Sequence, residues 1–177
     1  MPTSRWPALL LLGIALLSLG ASPATLPAPS HAGLYTDPVY GFSMTPPNLG
    51  EIKQERAVIT IFQAPPEEGF IPNVTVMVDP GATDLESYVT AWRAAMKETN
   101  PRANLRSYNV VQVSGKPAGV LDYDFTVATR RLRFLQLVVI DSERVFVVTC
   151  TAPLESWDKY HEQFQKCVDS FKLDRAI

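Results

Sequence analysis

Residues 135–140 read Leu-Gln-Leu-Val-Val-Ile, apolar at every position except Gln136. An extended strand turns alternate side chains to opposite faces, so a strand apolar at both parities needs cover on both sides. This stretch therefore asks for a sheet with a layer against each face, and it puts residues 132–140 in a central strand. The neighbouring segments fit around it. Residues 120–126 carry Leu121, Tyr123 and Phe125 at one parity and Asp122 and Asp124 at the other, the pattern of a strand with one apolar face. Residues 145–151 follow Ser142-Glu143-Arg144, too short a link for a crossover, so the two strands pair antiparallel.

Further strands are legible upstream. Residues 40–44 alternate large and small side chains and are closed by Pro46-Pro47. Residues 57–63 are β-branched and mostly apolar; Val74, Val76 and Val78 line one face of the next strand, opposite Asn73, Thr75, Met77 and Asp79. A loop rich in Pro and Gly, residues 64–72, joins these two strands as a wide hairpin. Residues 108–113 form a weaker strand, turned by Ser114-Gly115-Lys116-Pro117.

Two segments have helical periodicity. Leu85, Tyr88, Val89, Trp92 and Met96 make one stripe, started by a capping box at Thr83-Asp84-Leu85-Glu86 and stopped by Asn100-Pro101. In that box the Thr83 hydroxyl accepts a first-turn N–H and Glu86 reaches back. The second helix begins near Pro153 and carries Trp157, Tyr160, His161, Phe164, Cys167, Val168 and Phe171 on its apolar stripe. The expected class is α+β, an antiparallel β-sheet flanked by helices on both faces: a three-layer α/β/α sandwich.

The amino terminus sets the compartment. Residues 8–19 are an apolar run, with Arg5 the only charge before Asp37, of a length that suits a signal-peptide core better than a membrane span. Small residues follow, and cleavage after Ala21 or Ala24 fits, with a later site at Ser30-His31-Ala32; retention as an uncleaved anchor is the alternative. No Cys lies near these sites, so attachment through a lipidated Cys is excluded. Residues 25–33, with Pro27 and Pro29, are a semi-extended spacer, and the globular domain is expected over 34–177. The expected location is extracytoplasmic, periplasmic or secreted.

Few residues suggest a reactive centre. A formal net charge of −2 provides no footprint for nucleic acid. Asp122 and Asp124 are spaced as acid/base carboxylates sometimes are, but Arg131 and Arg133 on the next strand pair with them. Arg130, Arg131 and Arg133 are the one basic cluster, read first as a solvated turn paired with those aspartates and alternatively as a peripheral contact for an anionic lipid surface or an acidic partner. Asp79, Asp84 and Glu86 flank a turn without the spacing of a calcium loop. His31 and His161, the only histidines, lack companions at metal-ligand spacing. Asn73-Val74-Thr75 matches a glycosylation acceptor at a strand start. Cys150 and Cys167 would meet an oxidising compartment either as a disulfide or as two buried thiols. The strongest candidate for partner contact is the loop with Glu67, Glu68, Phe70 and Ile71, an apolar tip between prolines that could equally fold back over the sheet edge.

Three short motifs, in order, resemble the PsbP/Mog-like group, which includes the extracytoplasmic DcrB-type proteins. They are Tyr40-Gly41-Phe42-Ser43 followed by Pro46-Pro47, the turn Ser114-Gly115-Lys116-Pro117-Ala118, and the helix ending Asp169-Ser170-Phe171. The similarity runs over most of residues 34–173, with Leu49 where a tryptophan often follows the early proline. The resemblance implies an antiparallel sheet flanked by helices, and binding or assembly roles rather than catalysis. The expectation is a non-enzymatic, exported binding or assembly protein with an unidentified protein partner, no cofactor and an open oligomeric state. The alternative is a small-ligand carrier with a pocket between helix and sheet near Trp92 or Trp157.

Overall fold

The computed structural model describes residues 33–37, 39–47, 52–55, 58–67, 69–80, 84–142 and 144–174. The expected signal segment, nearly all of the spacer, Glu68 and Thr83 lie outside these residues. In chain order the strands are β1 (Tyr35–Asp37), β2 (Phe42–Met44), β3 (Ile52–Glu55), β4 (Val58–Gln63) and β5 (Asn73–Pro80). Helix α1 (Leu85–Thr99) precedes β6 (Asn104–Val113), β7 (Lys116–Val127), β8 (Arg130–Asp141) and β9 (Arg144–Pro153). A 3₁₀ turn (Leu154–Ser156), α2 (Trp157–Ser170) and β10 (Lys172–Leu173) complete the fold.

Seven strands pair antiparallel in the order β3-β4-β5-β9-β8-β7-β6. The strand apolar at both parities, β8, lies inside this sheet between β9 and β7, while the middle position belongs to β9. β9 is buried at nearly every residue. Short links join β6 to β7, β7 to β8 and β8 to β9. At the first of them Ser114 and Gly115 both have positive φ, 49° and 77°, which glycine adopts without the clash a Cβ brings.

Side chains of β8 and β9 divide between two cores by parity. Leu135, Leu137, Val139, Phe146, Val148 and Cys150 cluster with Trp157, Tyr160, Phe164, Cys167 and Val168 of α2. Phe134, Val138, Val145 and Val147 cluster with Leu85, Val89, Trp92 and Met96 of α1, together with Leu121, Tyr123 and Phe125 of β7. Each such side chain taken out of water contributes about 1.5–3 kcal/mol, so the helices are held mainly by these stripes. Gln136, the polar interruption, is buried and donates to Thr149 Oγ1 at 3.0 Å. The class is α+β, antiparallel sheets with two helices.

The helix starts differ in detail from the sequence expectation. Asp84 caps α1, its carboxylate accepting the Ser87 N–H at 2.8 Å, one residue after the expected Thr83 cap. Pro153 ends β9 rather than opening α2, because the 3₁₀ turn intervenes. On α2 the ring of His161 faces water instead of joining the buried stripe, its centroid 5.8 Å from that of Trp157.

The motif at Tyr40-Gly41-Phe42-Ser43 lies outside the large sheet. Tyr40 and Gly41 are a turn, with Asp37 accepting the Val39 and Tyr40 N–H groups, both at 2.9 Å. β2 pairs with β1 and β10 in a small second sheet. Its Phe42 and Met44 are buried in the α2 core, where Phe42 stacks on Phe171 at 5.5 Å.

Candidate functional site

The carboxylates of β7 meet their cations across strand diagonals. Asp124 stands opposite Arg133 in register but pairs with Arg131, and Asp122 stands opposite Leu135 but pairs with Arg133. The right-handed twist of a sheet brings such diagonal neighbours within reach of a long side chain. Arg133 donates to both oxygens of Asp122, at 2.9 and 2.7 Å, and its guanidinium lies 4.7 Å over the Trp157 ring of α2. The ion pair therefore also fixes the start of α2.

Asp124 is fully buried, with no exposed surface. It accepts from Arg131 Nε at 2.6 Å, Arg106 Nε at 2.7 Å and Asn104 Nδ2 at 3.2 Å. Burial works to raise its pKa; the hydrogen bonds from Arg131, Arg106 and Asn104 outweigh that and hold it below the usual carboxylate value. Arg106 and Asn104 were not among the sequence candidates. Both come from β6, where the pairing register shifts between Leu105 and Ser107. Such a bulge redirects a side chain without any mark in a periodic pattern. Fully buried and bound by three donors, this carboxylate ties β6, β7 and β8 together.

The loop after β4 closes on itself and on α2. Ala64 N donates to Pro72 O at 2.8 Å, and Glu67 and Phe70 exchange N–H···O bonds at 2.7 and 2.8 Å, with Gly69 at φ 79° between them. The Glu67 carboxylate pairs with Lys159 of α2, and that bond above all lowers its pKa. Phe70 is half-buried against the α1 core and Ile71 is half-buried, its carbonyl accepting from Asn73 Nδ2 at 2.8 Å. Of the four loop candidates, Glu67, Phe70 and Ile71 thus have intramolecular contacts, and Glu68 lies outside the described residues. The Asn73 amide of the glycosylation motif is engaged within the same loop.

The remaining candidates are dispersed. Asp84 is the α1 cap and Glu86 is exposed in its first turn, while Asp79 is half-buried at the end of β5, where burial raises its pKa. Trp92 and Trp157 are core residues, 4% and 2% exposed. Arg130 is half-buried at the start of β8. A surface cleft of about 480 Å³ is lined by Glu67, Pro153, Glu155 and Ser156, where the loop meets the start of α2. Cys150 and Cys167 are free thiols buried in the α2 core, and burial above all, with the neighbouring Cys167 adding to it, raises the Cys150 pKa well above normal.

One surface was not evident in the sequence. β6 is an outer strand, unpaired on one side among the described residues, and most of it is exposed. Val110 is 56% exposed and Val111 and Leu105 about 40%. Val110 stands opposite Gly119 on the α1 side, and Val111 opposite Ala118 on the α2 side, so apolar surface borders the edge on both faces. Arg106, already bound to Asp124, is the only charge on the strand.

This mainly antiparallel sheet with two helices is similar in fold to a solved PsbP-like structure. Cyanobacterial PsbP (CyanoP) from Synechocystis sp. PCC 6803 superposes with a TM-score of 0.64 over 86% of this chain and 98% of its own, at 16% identity. PA94 from Pseudomonas aeruginosa, a protein of unknown function, gives a TM-score of 0.56 over 76% and 92%, at 17% identity. LpqN of Mycobacterium tuberculosis, involved in cell envelope biogenesis, gives 0.56 over 80% and 82%, at 12% identity. No curated protein sequence matches the chain. The DcrB family matches residues 48–170, and the chain belongs to that family.

Proposed function

We propose that this chain is an exported, non-enzymatic binding or assembly protein that supports an envelope or membrane-associated complex from the extracytoplasmic side. Its domain is read as three layers, with a helix on each side of the sheet, in keeping with the division of β8 and β9 side chains between two cores. The observation that carries the reading is the outer edge of β6: ten residues long, bordered by exposed Leu105, Val110 and Val111, with its one charge already neutralised. Soluble proteins usually protect such an edge with charge, proline or a covering loop. The occupant that suits it is an extended, uncharged segment of a protein partner adding as a further strand. Export is supported by the apolar run at residues 8–19, and an envelope setting by the DcrB family and the likeness to LpqN. A non-enzymatic role is supported by the way Asp122, Asp124, Arg106, Arg131 and Arg133 satisfy one another.

Lysine crosslinking with mass spectrometry in the native host tests the reading. It predicts a recurring extracytoplasmic partner linked through Lys116, which follows β6 in the hairpin. Crosslinks confined to Lys159 and Lys166 on α2, or no recurring neighbour, would count against it.

A further inference from the structure

The α2 core contains the chain's only two cysteines, Cys150 on β9 and Cys167 on α2, 0% and 1% exposed. Their parity is the cause of their meeting. Cys150 shares the strand face of Phe146 and Val148, the face that α2 covers, and Cys167 stands on the buried stripe of α2 with Phe164 and Val168. Cys167 is a near enough neighbour to add to the rise that burial gives the Cys150 pKa. No metal-type group of His, Cys, Asp or Glu occurs around them or elsewhere among the described residues.

We propose that Cys150 and Cys167 form a disulfide that fastens α2 to β9 in the exported protein. In thiol–disulfide exchange one cysteine thiolate attacks a sulfur of an oxidant disulfide, such as glutathione disulfide or an oxidoreductase's cystine, and expels the other sulfur as a thiolate. The second cysteine thiolate then displaces the oxidant from the mixed disulfide. Two protons and two electrons leave the protein, and the oxidant departs as two thiols. Because the folded core shields both sulfurs and burial disfavours the Cys150 thiolate, exchange takes place before α2 has seated on the sheet. The same shielding protects the finished bond from reductants.

The test uses the protein from its native host, with free thiols alkylated in denaturant at lysis and the chain then digested with trypsin without reduction. The expected result is loss of both alkylatable thiols and a linked pair of peptides, residues 145–159 joined to residues 167–172. Reduction of the intact protein is expected to be slow and to accelerate on adding denaturant. Quantitative alkylation of both cysteines overturns the proposal. So does two free thiols in full-length protein refolded with glutathione disulfide, a result that would stand whether or not the chain is exported.

Discussion

Removing the Asp124 carboxylate, by Asp124→Ala, probes a fully buried polar group held by three donors. A buried ion pair broken at one end costs about 3–5 kcal/mol when the surviving charge is stranded. Here the survivors have an exit, since the side chains of Arg106 and Arg131 are 36% and 51% exposed and can turn to water. What is lost is a set of charge-assisted hydrogen bonds onto a fully buried acceptor, discounted for that exposure to roughly 2 kcal/mol. For a domain of this size, that lowers Tm by about 6 °C. The pH dependence has a definite sign. A carboxyl whose folded pKa lies below its unfolded value of about 3.9 adds stability that is present above that value and lost as pH falls through the folded one. Wild type should therefore lose its advantage over Asp124→Ala on acidification below about pH 4. Urea denaturation of both proteins at pH 7 and at pH 3 measures this. A cost under about 0.5 kcal/mol at pH 7, the size of an ordinary surface change, would refute the reasoning. A gap unchanged at pH 3 would do the same.

Two further outcomes follow from the geometry. Gly119 of β7 faces α1, and a Cβ there would lie 3.0 Å from Tyr108 and 3.4 Å from Leu85. Gly119→Val should cost about 1–3 kcal/mol by overpacking, read as a lower midpoint in urea, and a neutral result would mean that α1 does not press on the sheet there. Sequencing the amino terminus of the protein recovered outside the cytoplasm should find it starting after Ala21 or Ala24. An intact Met1 on a cytosolic protein would contradict export.

Periodicity carried the parts of this fold that are long enough to show a period. The alternation in β7, the two-sided apolar run in β8 and the stripes of α1 and α2 were all legible, as was the antiparallel pairing that short turns impose. β1 and β10 were missed because three and two residues contain too little alternation to detect, and β2 was recognised but its separate sheet was not. The full length of β6 was missed for the opposite reason: a strand exposed on both faces is under no pressure to alternate. The ion pairs of Asp122 and Asp124 were visible in the sequence, whereas Arg106 sits at a bulge and Asn104, directly opposite Asp124, lies in the part of β6 that showed no strand pattern. His161 has the spacing of the α2 stripe yet lies at its margin, where spacing alone does not decide burial.

The most direct measurement of the central claim is co-purification from native membranes with wild type and Val110→Lys compared side by side. Val110 is 56% exposed and lies outside both buried cores, so a lysine there should lower Tm only slightly while placing a charge on the outer edge of β6. The account predicts a recurring partner with wild type and its loss with the variant. Equal recovery of that partner by both proteins, or no recurring partner with wild type, would contradict it.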